Sequence, residues 1–309
     1  MKVVFFGNPQ FALPTLEAVF NSNHDICCVV TGPDRKAGRS QKLQSSAVKH
    51  AAELCGLPIL QPEHLNSPEL IANLEELNPD IGVVVAYRIL PPEIFNIPEK
   101  GCVNLHPSML PDLRGAAPIN WAIIRGYKTS GISTFLIKEK VDSGSILLQE
   151  KVEIYPDDNA GVLSDRLAVH GGSLIVESLN KMEAGELIPT PQSGKISRAP
   201  KLSDETRRIL WNNSAENIHN LIRGLSPVPC SYTSFEGKRL KIYRSRISAD
   251  HVDSDPGTII GFNQDSLNVS TSDGVLCIMD LQLEGKRKMT AKEFNRGNSI
   301  AKGTVLGAN

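Results

Sequence analysis

The sequence predicts a doubly wound α/β domain with a mostly parallel sheet, followed by a smaller β domain. Three observations carry this. The chain opens strand, turn, helix, strand over Lys2–Phe6, Phe11–Phe20 and Asp25–Val30, the order that begins a parallel sheet covered by helices. Asp80–Tyr87 contains IGVVVA, apolar on both faces, and so belongs in the middle of a sheet. Beyond residue 205 the pattern changes to short strands with glycine turns, the signature of a small barrel. With 309 residues, two domains are expected: 1–188, a linker over 189–204, and 205–309.

Taken in order, Lys2–Phe6 is too apolar to be half-exposed and reads as a central strand. Gly7-Asn8-Pro9 breaks it. The turn GNPQFA lacks G-x-G-x-x-G, so no bound dinucleotide is expected. Gly32–Ser46 is polar and carries Arg35, Lys36, Arg39 and Lys42 between Gly32, Pro33 and Gly38. A basic loop with glycine hinges suits a finger that grips phosphates; a plain solvated loop is the alternative. Ala47–Cys55 reads as a helix and Pro58–Leu60 as a short strand. Ser67–Leu77 is a helix with Ser67 as N-cap and Pro68 at its first position. The strand at Asp80–Tyr87 runs into Arg88-Ile89-Leu90-Pro91-Pro92, at the carboxyl edge where open α/β sheets bind ligands.

The stretch from Cys102 to Trp121, CVNLHPSMLPDLRGAAPINW, follows. Val103 and Leu105 alternate with Asn104 and His106, which puts the amide and the imidazole on one strand face. Pro107 and Pro111 donate no backbone hydrogen bond, so Ser108–Gly115 is an ordered loop. A helix follows at 116–126, with Pro118 in its first turn. An amide two residues from an imidazole at a strand end can grip a carbonyl oxygen whose charge is growing. Asp142 lies in KVDSGSILLQ, on a Ser143-Gly144 turn. Its carboxylate would orient His106 and favour the protonated ring, or order a water that carries a proton away. A satisfied structural histidine is the competing reading. Strands are expected at Gly131–Leu136 and Ser145–Ile154, then a long amphipathic helix over Ala160–Gly185 in which His170 packs or caps. The linker, PTPQSGKISRAPKLS, is rich in proline, serine and glycine.

After it come a helix near Ser214–Arg223 and strands at Ser231–Phe235, Arg239–Tyr243, Gly257–Phe262, Leu267–Ser270 and Gly274–Asp280. They predict a small β-barrel of the OB-like kind. Arg239 and Lys241 share one strand face and Lys238 takes the other. A partly basic face suits RNA; a solvated barrel surface is the alternative.

Composition narrows the function classes. Net charge is −1, which argues against a strongly charged surface overall. The six cysteines form no C-x-x-C pair and read as free thiols in a reducing cytosol. Paired Cys/His spacing and H-E-x-x-H are missing, so no metal site is expected. No G-x-S-x-G elbow supports a serine hydrolase. No signal peptide is visible and no apolar run nears the roughly 20 residues of a membrane span, so a cytoplasmic protein without membrane partners is expected.

The runs NLHPSMLPDLRGAAPINWAI and VDSGSILL resemble the signature of the folate-dependent formyltransferases. PDRKAGR, AYRILPPEIFNIP, LSPVPCSYTSFEGKRLKIY and LEGKRKMTAKEFNRG resemble the branch of that family acting on methionyl-tRNA. The resemblance covers nearly the whole chain. It implies a formyltransferase enzyme with a Rossmann-like domain that takes 10-formyltetrahydrofolate as co-substrate. Asn104, His106 and Asp142 match the catalytic three. Ser108, Met109, Leu110 and Pro111 match the folate-contacting loop, with Met109 a soft substitute for leucine. Arg88, Ile89 and Leu90 match the pterin edge, although Arg88 departs from that branch's glycine and is similar instead to the purine-pathway enzymes. Arg35, Lys36, Arg39 and Lys42 match a finger for initiator methionyl-tRNA, and a monomer is expected. A nucleotide-sugar N-formyltransferase using the same donor is the alternative.

Overall fold

The computed structural model describes residues 1–37, 42–250, 252–263, 265–297 and 301–307. By contacts the chain forms two compact units: 1–118 with 130–153 and 164–199, and 119–129 with 154–163 and 200–309.

In the first unit the opening strand β1 (Lys2–Gly7) is followed by α1 (Leu13–Phe20) and β2 (Asp25–Val30). The helix starts two residues later than the sequence suggests. Pro14 must sit in the first turn, where its missing N–H costs little, and Gln10–Ala12 forms a 3-10 turn ahead of it. A short hairpin, β3 (Arg35–Ala37) and β4 (Lys42–Gln44), precedes α2 (Ala47–Leu54), β5 (Ile59–Leu60) and α3 (Pro68–Leu77). The start of α3 follows the sequence signal: the Ser67 hydroxyl accepts the Leu70 N–H and Pro68 is the first helical residue. Then come β6 (Ile81–Val85), the one-turn α4 (Pro92–Phe95), β7 (Cys102–His106) and the two-residue β8 (Arg114–Gly115); α5 (Pro118–Ile124), which follows, falls from Ile119 onward in the second unit. The remaining elements are β9 (Thr129–Leu136), β10 (Ile146–Glu153), α6 (Ala160–Glu183) and β11 (Arg198–Ala199).

Seven strands make one sheet in the order β10-β9-β7-β6-β1-β2-β5. β1 pairs in parallel with β2 and β6, and β6 with β7, whereas β9 runs antiparallel to β7. Val3, Val4, Phe5 and Phe6 are wholly inaccessible, which is why this apolar strand takes the centre. From β1 the chain builds outward to β2 and β5, then returns to β6 on the other flank. The order therefore reverses beside β1, and the carboxyl ends of β1, β6 and β7 border the crevice this creates.

The second unit holds α7 (Asp204–Arg207), α8 (Ala215–Leu225), β12 (Ser231–Phe235), β13 (Lys238–Ser248), β14 (Ile259–Phe262), β15 (Leu267–Ser270), β16 (Val275–Leu283), β17 (Met289–Thr290) and α9 (Ala291–Gly297). Its antiparallel sheet runs β12-β13-β16-β15-β14, with β17 beside β16. Trp211, Ile218, Ile222, Leu240, Ile278 and Phe294 share its core. β12 and β14 end the path. Between them lies the segment 303–307, which bonds to both: Ile259 N–H to Thr304 C=O at 2.8 Å, and Gly307 N–H to Ser234 C=O at 2.9 Å. Closure thus comes from irregular chain. Within this unit Asn120 of α5 donates to Gly224 C=O at 2.7 Å, and the buried Arg223 donates to Asp158 C=O at 3.1 Å. These bonds explain why 119–129 and 154–163 belong to it.

Among the described residues no helix is long and apolar enough to cross a membrane. The cysteines are free; burial pushes Cys28 and Cys102 up to about 12, while Cys55 is exposed. His170 is half-exposed, with Nδ1 2.6 Å from Glu150 Oε1.

Burial lowers the proton affinity of His24, His106 and His219. The unfolded chain takes up protons first as pH falls through 6.5, so stability declines from there until the lower folded-state values are passed. Urea midpoints measured from pH 8 to pH 5 should therefore fall before the carboxylates titrate. A flat profile down to pH 5 would show that these rings are not held neutral.

Candidate active site

β7 lies between β6 and β9, with Asn104 opposite Val84 and Phe135 and His106 opposite Ser133. Strand alternation sends Val103 and Leu105 into the core and leaves Asn104 and His106 on the same face. His106 is 5% exposed. Its Nε2 lies 3.0 Å from the Leu113 carbonyl oxygen. A carbonyl only accepts, so Nε2 carries the hydrogen and Nδ1 is the nitrogen left for chemistry. Nδ1 faces Asp142 Oδ2 at 3.9 Å, within ion-pair range and too far for a direct hydrogen bond. Asp142 Oδ2 also accepts the Gly115 N–H at 2.9 Å. The half-buried Asn104 amide makes no side-chain hydrogen bond among the described residues. The structure thus brings Asp142 to His106 and leaves an unpartnered amide donor beside them.

The Asp142 carboxylate favours the protonated form of His106, but burial works against it more strongly. Burial lowers the proton affinity of His106 below the usual imidazole range. The Asp142 carboxylate and the Leu113 carbonyl oppose this, and Arg114 adds to it. In the neutral ring the hydrogen sits on Nε2 and Nδ1 is bare.

Two glycines permit the approach. Gly115 has φ +128°, and a Cβ there would lie 2.5 Å from the Ala199 carbonyl oxygen. A Cβ on Gly144, after Asp142, would overlap the Leu136 carbonyl. A side chain at either position would push the Asp142 turn or the Arg114–Gly115 strand off the site.

The 107–115 loop is ordered through residues that the sequence reading did not single out. Ser133 Oγ donates to Ser108 C=O at 2.7 Å and accepts the Leu110 N–H at 3.1 Å. Gln149 Nε2 donates to Leu110 C=O at 3.0 Å and to Ser133 Oγ at 2.7 Å. Ser108 Oγ donates to Asp112 C=O at 2.6 Å. Ser108 and Leu110 are buried, Met109 and Pro111 half-buried, and the Leu110–Pro111 bond is cis. Ser133 and Gln149 act across strands, so spacing along the chain gives no sign of them.

At the end of β6, Leu90 packs into the core and Ile89 is 73% exposed. Arg88 turns away to tie down the 62–63 segment. Its guanidinium donates at 2.8 Å to Glu63 C=O, Pro62 C=O and the Tyr87 hydroxyl, and lies over the Tyr87 ring. At Arg88 this edge therefore offers a ligand backbone rather than a free charge.

The basic segment is not all loop, as expected, but partly strand. It contains the β3–β4 hairpin, with Lys36 opposite Leu43 and Ala37 opposite Lys42; Arg35 is exposed, and Arg39 lies outside the described residues. The hairpin's root is firmly held. Asn8 Oδ1 accepts from Thr31 Oγ1 at 2.8 Å and Gly32 N–H at 2.7 Å, and Asp34 pairs with Lys49 at 2.7 Å. Among the described residues no group of three His, Cys, Asp or Glu side chains could hold a metal ion.

Residues 1–179 match the family described as Formyl transferase, and residues 201–299 match Formyl transferase, C-terminal domain. The chain is 45% identical over 302 residues to methionyl-tRNA formyltransferase of Thermodesulfovibrio yellowstonii, covering 97% of each. Among solved structures it resembles an N-formyltransferase from Helicobacter canadensis in complex with folinic acid and dTDP-3-aminofucose. The TM-score is 0.69 at 19% identity, covering 94% of this chain and 100% of that one. It also resembles a variant of HypX from Aquifex aeolicus, at TM-score 0.68 and 16% identity, covering 96% of this chain and 47% of that one. The chain thus spans about half the length of HypX, and both likenesses concern the fold.

Asp142 is the charge that raises the proton affinity of His106. In Asp142→Asn, the His106 resonances followed by NMR should titrate at still lower pH than in the parent protein. An unchanged midpoint would mean that the carboxylate does not act on the ring.

Proposed function

The chain belongs to the formyl transferase family through both of its regions, and we propose that it moves the formyl group of 10-formyltetrahydrofolate onto the α-amine of initiator methionyl-tRNA. The product, N-formylmethionyl-tRNA, serves translation initiation in the cytoplasm. The observation that carries the chemistry is the buried His106, its Nδ1 turned toward Asp142, with an Asn104 amide on the same strand face that has no side-chain partner among the described residues. A co-substrate with a flat ring that can bond to backbone groups and one reacting carbonyl fits these residues. The Arg88–Leu90 edge presents backbone and the exposed Ile89, and the Ser108–Pro111 loop is pinned in place. These two segments would hold the folate. When bound, it supplies the formyl carbon and leaves with the amine's proton on nitrogen.

The protein's own groups do the rest. The Asn104 amide donates to the formyl oxygen as negative charge grows there. His106 Nδ1 accepts the proton that the attacking amine must lose. The Asp142 carboxylate stabilises the imidazolium so formed, which is stranded in a buried place without it. Giving up that proton returns the ring to its neutral resting form. Arg35, Lys36, Arg39 and Lys42 meet the phosphates of the acceptor stem, and the basic strands of the second unit hold the rest of the tRNA.

Asn104→Ala and His106→Ala should each lower turnover by at least about a hundredfold with melting temperature preserved. Formyl transfer to methionyl-tRNA and to an amino-sugar nucleotide, compared at equal folate, tests the acceptor; preference for the sugar would overturn the reading. Replacing Arg35 and Lys42 by alanine should raise the KM for tRNA and flatten its salt dependence while folate affinity holds. An unaltered salt slope would remove the hairpin from tRNA contact.

A further inference from the structure

Leu113 and Asp142 have φ of +56° and +52°, a backbone that non-glycine residues seldom keep unless something holds them there. Each presents one polar group to one nitrogen of His106: Leu113 its carbonyl to Nε2, Asp142 its carboxylate to Nδ1. Each is held in turn by a side chain from residues 190–199, inside the stretch whose composition reads as linker. Ser197 Oγ accepts the Leu113 N–H at 2.9 Å and donates to the Asp112 carboxylate, while its own carbonyl accepts the Arg114 N–H at 3.0 Å. Gln192 Nε2 donates to the Asp142 carbonyl at 3.0 Å and the Gly144 carbonyl at 2.9 Å. Gln192 Oε1 accepts from Arg114 Nε at 3.1 Å and also from its Nη2. One amide thus spans the Asp142 turn and the loop's arginine, the two charged groups that act on the imidazole.

We propose that Gln192 and Ser197 are positioning residues, which fix the two left-handed residues flanking His106 and so set the orientation and tautomer of its ring. The inference rests on the reading of His106 as the proton-accepting group. The segment keeps its backbone bonds without these side chains. Thr190 and Ile146 exchange hydrogen bonds at 2.7 and 2.8 Å, and Ala117 N–H reaches Ala199 C=O at 3.2 Å. Removing either side chain should therefore loosen the site without releasing the strap.

The test uses the full chain with Ser197→Ala, Ser197→Thr and Gln192→Met, and Ile196→Ala as an exposed control on the same segment. Two quantities are measured: the His106 titration by NMR in the free protein, and kcat and KM for transfer to methionyl-tRNA. Ser197→Ala weakens the Leu113 carbonyl contact and Gln192→Met the Asp142 contact, and both contacts raise the ring's proton affinity. Each variant should therefore titrate at lower pH than the parent and lose at least about tenfold in kcat with both KM values within about twofold. Ser197→Thr keeps the hydroxyl and should restore both readouts; Ile196→Ala should change neither. An unshifted His106 titration in Ser197→Ala and Gln192→Met overturns the proposal, whatever happens to kcat. Ser197→Thr and Gln192→Met read the same geometry where alanine at 197 fails to fold. If the parent transfers no formyl group yet the titration shifts as stated, the positioning stands and the assigned reaction falls.

Discussion

An imidazole shut away from water governs the organisation of the first unit. Burial alone would make His106 an inert neutral ring. Two opposed contacts keep it responsive. The Leu113 carbonyl claims one nitrogen and leaves the other bare, and the Asp142 carboxylate lies 3.9 Å from that second nitrogen. Both contacts come from backbone that L-residues resist, so much of the surrounding structure serves to hold two short turns. Gly115 and Gly144 have no side chain because neighbouring carbonyls fill the space.

The sheet contributes in two ways. Its parallel half ends β1, β6 and β7 on the same edge and so opens the crevice. Its antiparallel addition, β9 with β10 beyond it, lays Ser133 and Gln149 under the 107–115 loop. A proline-framed loop has few backbone donors with which to order itself. Here the order is supplied from the next two strands of the sheet, by a hydroxyl on β9 and an amide on β10 that bond to the loop's own peptide groups.

Local chemistry was legible in the sequence. Ser67-Pro68 marks the start of α3, IGVVVA reads as a central strand, and the alternation in VNLH places amide and imidazole together because strand periodicity leaves no other choice. Features that depend on the return of distant chain were not legible. Nothing in 35–44 announces a hairpin, since its strands are three residues long. Pro14 delays α1 through a local rule that the apolar pattern obscures. Gln192 and Ser197 sit among prolines and glycines and act on backbone groups, so composition describes their surroundings as a tether while the fold uses them as clamps. Arg88 was read toward the ligand edge; the carbonyls that its guanidinium binds, at residues 62 and 63, belong to a segment with no pattern relating it to residue 88.

The second unit owes its closure to a few residues of irregular chain. Residues 303–307 occupy the gap between β12 and β14, exchanging hydrogen bonds with Ile259 of β14 and donating to Ser234 of β12. Stripped of that cover, both strands would show bare rows of donors and acceptors, ready to template pairing with a second molecule. That seam also sets Leu306 into the core, so clipping there would uncover two strand edges and a patch of apolar surface together, and would favour clumping.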